Sequence, residues 1–280
     1  MRIAVIGANG QLGTELAAIG QKRGHDIVAF THADVQVERG DGVSAVVEVA
    51  PDVVINSAFR FDMEGEADTA LKSWQVNVAL PLVRCCGEIG ARYVYISTDY
   101  VFDGQTGDYA EDDPCRPLSL YGATKRAGEL AALHLLENAA VCRVSYLFGH
   151  AGCRAKGGEN IVDLITEALR ERRPLELDDD TRFSPTYAVD AAEQIFEVIE
   201  NHPQPGVYHC SNSGACSYYD FALAVAEIMQ AKHDFQPRYD EPEPLRPKHS
   251  NLLNTRLPEA PPWRDGVRRY LQEKDGECGE

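Results

Sequence analysis

A phenol and an ammonium stand four residues apart in the stretch YGATKRAGE, residues 121–129: Tyr121 and Lys125. On a helix, positions i and i+4 share a face. A phenol ordinarily titrates near ~10, and a neighbouring ammonium favours the phenolate and lowers that value. The pair therefore suits general acid–base work at neutral pH. The same spacing also describes an ordinary surface pair, so other residues have to decide. Upstream, YISTDYVFDG (residues 95–104) carries Ser97 and Thr98 at the end of an apolar run. Open α/β sheets bind ligands at the C-terminal ends of their strands, and a hydroxyl placed there can hydrogen-bond a reacting carbonyl oxygen. Thr98, Tyr121 and Lys125 are the expected catalytic set.

A second constellation lies at the start of the chain. GANGQLG (residues 7–13) follows the apolar run RIAVIG and opens a helical pattern. In that context Gly7 permits a tight turn, Gly10 lets the backbone approach a pyrophosphate, and Gly13 allows close helix–strand packing. The free N–H groups of the helix start then face the anion. The spacing is GxxGxxG, not GxGxxG, and a glycine-rich turn without a ligand is the competing reading. Dinucleotide sites that take NAD place an acid at the end of the second strand. Here that strand ends Phe30-Thr31-His32-Ala33, and the first acid is Asp34. Thr31 or His32 could hydrogen-bond a 2′-phosphate, although no Arg stands beside them. The expected cofactor is NADPH or NADH, with NADPH slightly favoured.

These residues need a scaffold, and the chain's rhythm supplies one. Residues 2–7, 26–30, 52–58, 92–98 and 140–148 read as strands, separated by helical patterns over 11–23, 42–50, 66–90 and 119–137. Continuous Val/Ile runs bounded by turn signals suit buried parallel strands. Their alternation with helices predicts an α/β, doubly wound, parallel Rossmann-type sheet. After residue 150 the rhythm loosens. HAGCRAKGGEN (150–160) and YDEPEPLRPKHSN (239–251) read as loops, ELDDDTR (176–182) as a solvated loop, and 161–172, 187–200, 217–231 and 263–273 as helices. The expected division is a dinucleotide-binding domain over 1–150 plus about 186–203. A smaller substrate lobe is expected from about 151–185 and 204–280. His209 falls in a strand and reads as a core histidine; Tyr218, Tyr219 and Phe221 read as packing of the lobe.

Bulk composition sets limits. The formal net charge is −17, with 44 Asp and Glu against 27 Lys and Arg. Nucleic acid and anionic membranes are therefore poor partners, and cations for an anionic ligand must be gathered locally. Arg outnumbers Lys 20 to 7, which fits a high-salt cytoplasm as well as ordinary bacterial acidity. The eight cysteines contain no CxxC pair, so neither a zinc site nor a redox motif is signalled, and reduced core thiols are expected. Only four apolar residues separate Arg2 from Gly7, too few for the apolar core of a signal peptide. A cytoplasmic location is expected.

The motifs together resemble the extended short-chain dehydrogenase/reductases, and within them the dTDP-4-dehydrorhamnose reductase family. GANGQLG, INSA, STDYVFDG, YGATKRAGE, RVSYLFG, FSPTYAVDAA, GVYHCSNSGACSYYDFA and RPKHSNLLNT occur in that family's order along essentially the whole chain. STDYVFDG followed by YGxxKxxGE is the discriminating part. The resemblance implies hydride delivery from NAD(P)H to the 4-keto carbon of a dTDP-linked 6-deoxyhexulose. Tyr121 would protonate the alkoxide, Lys125 would bind the nicotinamide ribose, and Thr98 would orient the carbonyl. It places Asn9, Gln11, Leu12, Ala58 and Asn77 beside the glycines at the cofactor. It places Phe61, Glu64, Asp99, Tyr100 and Tyr146 at the sugar, and Arg246 at the diphosphate.

Three departures from the family pattern stand out. NSAFRFDMEGEA (56–67) replaces a segment usually close to NAAAYTAVDKAE, so Met63-Glu64-Gly65 stands where Val-Asp-Lys touches the sugar. Tyr146 stands where a Trp is common. Glu15 matches one of the positions at which some members gather Mg²⁺ at a dimer contact, but its partners are missing, and no metal is expected. Related dehydratases carry Thr-Asp-Glu where this chain has Thr98-Asp99-Tyr100, which argues against dehydration. A nucleotide-sugar epimerase and a catalytically idle regulatory subunit are the alternatives, and a homodimer stays open.

Overall fold

Strands that are apolar on both faces must be covered on both faces, and the sheet of this protein is built that way. The structure, a computed structural model, describes residues 1–64, 67–152, 158, 160–239 and 245–277, the last three without their side chains. The first part of the chain runs β1 (Arg2–Ile6), α1 (Gln11–Lys22), β2 (Asp26–Phe30), α2 (Val43–Glu48), β3 (Val53–Asn56), α3 (Ala67–Val78), α4 (Leu80–Ile89) and β4 (Arg92–Thr98). A single 3-10 turn (Asp99–Val101), α5 (Leu120–Leu135) and β5 (Ala140–Val144) follow. The rest is β6 (Leu147–Phe148), α6 (Ile161–Glu171), β7 (Leu175–Asp178), β8 (Thr186–Tyr187), α7 (Ala188–Asn201), β9 (Gly206–His209), α8 (Tyr218–Ile228), β10 (Phe235–Arg238) and α9 (Trp263–Glu277).

Six strands form one parallel sheet in the order β2-β1-β3-β4-β5-β9. The pleat sends Ile3, Val5, Ile55, Val94 and Ile96 to one face, against Leu12, Leu16 and Ile19 of α1 and Ile195 and Phe196 of α7. Their neighbours Ala4, Ile6, Val54, Tyr93 and Tyr95 point the other way, onto Val46, Leu82, Val83 and Ala132 of α2, α4 and α5. The α/β class that the alternation predicts is therefore the observed one. A third core joins Phe148, Tyr187, Phe221, Trp263 and Tyr270, and two further two-stranded parallel ladders, β7–β10 and β6–β8, flank it.

Several elements differ from their reading in sequence. The single helix expected over 66–90 is two, because the buried Ala79 takes a left-handed φ of 50° between α3 and α4. The strand expected over 140–148 stops at Val144; Tyr146, at φ 33°, turns the chain out of the main sheet so that Leu147–Phe148 pair with β8. ELDDDTR begins not as loop but as β7, paired to β10. Gly206–His209, assigned from sequence to the second lobe, is the sixth strand of the main sheet, in register Arg143↔His209. Without it, β5 would leave a row of backbone N–H and C=O groups unpaired at an edge. Cys85, Cys86, Cys115, Cys142, Cys210 and Cys216 are free thiols; Cys153, Cys278, Gly65 and much of the loops at 150–160 and 239–251 lie outside the described residues.

Candidate active site

The C-terminal ends of β1, β3, β4 and β5 open into one cavity of about 350 Å³, lined also by Thr181, Phe183, Tyr218, Arg246 and Ser250 from the later part of the chain. At its β1 end, Gly7, Asn9, Gly10, Gln11, Leu12 and Gly13 line the wall together with His32 and Ala58. Gly7 holds φ +78°, and a Cβ on Gly13 would stand 2.2 Å from the Gly7 carbonyl oxygen, so the turn closes only with glycine at 13. Helix α1 starts at Gly10 with neither a side-chain cap nor an acid in its first turn. Its positive end is thus left for an external anion, the use that such strand–turn–helix junctions serve.

Three of the residues expected at the cofactor, Asn77, Thr31 and Asp34, do not line the cavity. Asn77 is fully buried; its amide donates to Arg60 O (2.9 Å) and Thr124 Oγ1 (2.8 Å) and its Oδ1 accepts Arg60 N–H (2.8 Å). It is a strut tying the 57–64 segment to α5, and every polar atom is used. Thr31 and Asp34 do not border the cavity. The Asp34 carboxylate folds back onto Thr31, accepting both its N–H (2.8 Å) and its hydroxyl (2.7 Å). His32, which does border the cavity, is paired with Glu38 at 2.9 Å. Two carboxylates therefore sit at the end of β2: Asp34, which the sequence offered as the first acid there, and Glu38, which it did not single out.

The expected catalytic set converges. Thr98, Tyr121 and Lys125 all line the cavity. Ser119 caps α5 by accepting the Gly122 N–H (3.1 Å), which sets Tyr121 in the first turn and Lys125 one turn on. A Cβ on Gly122 would lie 2.2 Å from Tyr100 O; the glycine lets α5 abut the 3-10 turn. Lys125 Nζ donates to Ile96 O at 2.5 Å and lies 4.2 Å from the Tyr95 ring centroid. Burial lowers its pKa to about 7, against the opposing pull of Glu129. The two hydroxyls that looked equivalent in sequence are not. Ser97 Oγ donates to Glu129 Oε1 (2.6 Å), whereas Thr98 Oγ1 accepts the Tyr100 N–H (3.3 Å) and lies 3.1 Å from Asp99 Oδ1.

The lowered Lys125 pKa has a consequence for stability. Between about 7 and the ordinary 10.5 the unfolded chain keeps a proton that the folded chain has released, so stability rises with pH across that window. Lys125→Met is expected to remove that rise and, at pH 6, to stabilise the dinucleotide-free protein by roughly 1–4 kcal/mol, as replacing a buried charge by an apolar chain often does. Thermal melts of the two proteins between pH 6 and 9 test this; a Met variant less stable at pH 6 refutes it.

At the far end the cavity is aromatic. The Tyr121 ring has Phe61 at 4.9 Å, Tyr100 at 5.6 Å and Phe59 at 6.4 Å between centroids. Tyr146 packs on Phe183 (4.4 Å) and Tyr218 (5.2 Å), and the Arg246 guanidinium lies 5.9 Å from the Tyr218 ring. Phe61, Asp99, Tyr100, Tyr146 and Arg246, the residues expected at the substrate, border the cavity. Glu64 does not: it is exposed and outside the cavity, since Met63 O accepts the Leu120 N–H and pins the segment there. Asp99 borders the space but commits its carboxylate to Ser145 Oγ (3.1 Å) and Ser250 Oγ (2.5 Å). Sequence reading missed Phe183, Tyr218 and Ser250. Tyr218 was taken for lobe packing, as were Tyr219 and Phe221; those two do pack in the third core, whereas Tyr218 lines the cavity. Glu15 lies outside the cavity near His150 and Glu273, with burial raising its pKa and His150 opposing.

Comparison with known proteins places this geometry among relatives. Residues 1–275 match the family described as the RmlD substrate binding domain. The chain is 35% identical to the spore coat polysaccharide biosynthesis protein SpsK of Bacillus subtilis, over 99% of both chains. It is 30% identical to a dTDP-4-dehydrorhamnose reductase of Mycobacterium tuberculosis, covering 89% of this chain and 79% of that protein. Among solved structures, the dTDP-4-dehydrorhamnose reductase of Bacillus anthracis in complex with NADP superposes with a TM-score of 0.88. It shares 28% identity, over 97% of this chain and 99% of that one.

Proposed function

The chain belongs to the family of the RmlD substrate binding domain, and from that premise we propose that it reduces the 4-keto group of a dTDP-linked 6-deoxyhexulose with NAD(P)H. The observation that carries the reading is the convergence of Thr98, Tyr121 and Lys125 in the cavity that the glycine turn also lines. A dinucleotide fits that turn: a side chain at 13 would fill it, and the uncapped start of α1 offers N–H groups to a pyrophosphate. A reduced nicotinamide bound there supplies a hydride to the ketone carbon.

The chain's own residues handle the oxygen. Thr98 orients the carbonyl, and the Tyr121 hydroxyl delivers its proton to the oxygen as the C–O bond becomes single, leaving a phenolate to be reprotonated from solvent. The Lys125 ammonium, held beneath by Ile96 O, stabilises that phenolate. Phe61 and Tyr100 wall Tyr121 off, and excluding water strengthens each of these electrostatic effects. Arg246, above the Tyr218 ring, suits a diphosphate oxygen. The presence of all three catalytic side chains supports a working enzyme over an idle partner subunit.

The test is consumption of NADH or NADPH with dTDP-4-dehydrorhamnose generated in place, followed by identification of the reduced sugar. No turnover from folded protein that binds the dinucleotide would sink the reading. Cofactor choice has its own test. With Asp34 capping the end of β2, Asp34→Asn is expected to raise the NADPH-to-NADH ratio of kcat/KM by roughly three- to tenfold, the effect of one partly screened charge; an unchanged ratio removes Asp34 from cofactor selection. Among the described residues no helix is long and apolar enough to cross a membrane, and the −17 charge supports a nucleotide-sugar enzyme over a nucleic-acid binder.

A further inference from the structure

Thr98 has a proton-counting problem. A threonine hydroxyl has one proton to donate and can accept at two lone pairs. Its oxygen already accepts the Tyr100 N–H (3.3 Å) and stands 3.1 Å from Asp99 Oδ1. An ionised Asp99 can only accept. The single Thr98 proton would then point at Asp99, and Thr98 would meet a substrate carbonyl oxygen with lone pairs against lone pairs. The role that the reduction requires of Thr98 is unavailable in that state.

We propose that Asp99 works as a carboxylic acid whose Oδ1–H donates to Thr98 Oγ1, freeing the threonine proton for the substrate's carbonyl oxygen. Asp99 is then a positioning residue acting through Thr98, and the assignment rests on the reductase reading above. The two carboxyl oxygens are distinguished by their surroundings. Oδ2 accepts from Ser145 Oγ at 3.1 Å and from Ser250 Oγ at 2.5 Å, so it is the acceptor oxygen. Oδ1, facing Thr98, is where the proton belongs.

The setting favours the neutral form. Asp99 is 3% exposed, and Thr98, Ser145 and Ser250 are buried around it. Among the described residues no cation forms an ion pair with Asp99, and a buried carboxylate without one is costly. Burial accordingly pushes the Asp99 carboxyl above its ordinary range, outweighing the hydroxyls of Ser250, Thr98 and Ser145. The charged and titratable groups on the elements packed here are few. Tyr100 is on its own turn, Tyr121 and Lys125 on α5, Tyr146 after β5, and Arg246, Lys248 and His249 on the segment that carries Ser250. Lys125 is bonded to Ile96 O and Lys248 is paired with Asp180 at 3.0 Å. Ser250 comes from 151 residues along the chain, so a distant segment completes the shell around Asp99.

The test combines infrared spectroscopy with kinetics of two variants. In the wild-type-minus-Asp99→Asn difference spectrum at pH 7, the carbonyl band of a protonated carboxyl is expected, well separated from carboxylate bands. Asp99→Leu is expected to lose on the order of a hundredfold in kcat, the cost of losing one oriented donor, at unchanged affinity for NAD(P)H. Asn restores an N–H donor toward Thr98 and a carbonyl toward Ser145 and Ser250, so Asp99→Asn should recover to within about tenfold of wild type. The ratio of wild-type to Asp99→Asn kcat should fall with pH only where the infrared band fades. Absence of the band overturns the proposal. So does an Asn variant as impaired as the Leu variant, or a ratio that stays flat or rises while the band fades. A wild-type protein that reduces no keto sugar would instead defeat the reductase reading, while the band would still report the protonation state of Asp99.

Discussion

Tyr121→Phe is expected to lower kcat for keto-sugar reduction by about three orders of magnitude, within the range that a positioned general acid contributes. The substitution keeps the ring, and with it the contacts to Phe61, Tyr100 and Phe59 that shape the cavity. Only the proton leaves. NAD(P)H binding, which draws on the glycine turn and the start of α1, should therefore change little. The separation is measurable as single-turnover hydride transfer on one side and dinucleotide fluorescence titration on the other. A variant retaining a tenth or more of wild-type turnover would mean that another group, or water, delivers the proton, and the reading of the YGATK motif would fail with it.

Glu129→Gln is expected to act on stability instead. The Glu129 carboxylate is fully buried and accepts from Arg143 Nε (2.8 Å) and Nη2 (2.9 Å), from Arg126 (2.6 Å) and from Ser97 (2.6 Å). Burial alone would raise its pKa, but the bonds and charge of Arg143 outweigh this and hold it below the ordinary range. Glutamine leaves the Arg143 guanidinium, 1% exposed, without the carboxylate it is paired with. Removing one partner of such a pair costs about 3–5 kcal/mol, or roughly 10 °C in Tm for a chain of this size. Because the folded carboxyl titrates lower than the unfolded one, its contribution is complete above the ordinary carboxylate pKa. It is lost as pH falls through the depressed value. The gap in Tm between wild type and variant should thus narrow in acid. A gap below about 2 °C at pH 7 would mean that the pair is replaceable in place. The same carboxylate holds Ser97 and lies one turn below Lys125, so the stability of this pair and the placement of Lys125 are joined in one helix.

The parallel sheet, the glycine turn and the Thr98–Tyr121–Lys125 set could be read from the chain because each is local. Continuous apolar runs, a glycine every third residue and a four-residue spacing are properties of short windows, and the backbone geometry follows from them directly. Asn77, Asp34 and Glu64 could not be placed that way. Each is a polar residue near a motif, and whether it faces a ligand depends on which distant groups claim its hydrogen bonds: Arg60 and Thr124 for Asn77, Thr31 for Asp34, and solvent for Glu64. The same holds for Tyr146, whose left-handed φ diverts the chain from β5 to β6, and for Gly206–His209, which joins the sheet because β5 needs a partner. Sequence by itself determined which chemistry the chain carries and on which ends of which strands. Tertiary structure alone decided that Ser250 meets Asp99 and that Phe183 and Tyr218 meet Tyr146. Those contacts satisfy buried polar and aromatic groups across more than thirty residues of chain, where no local pattern exists to announce them.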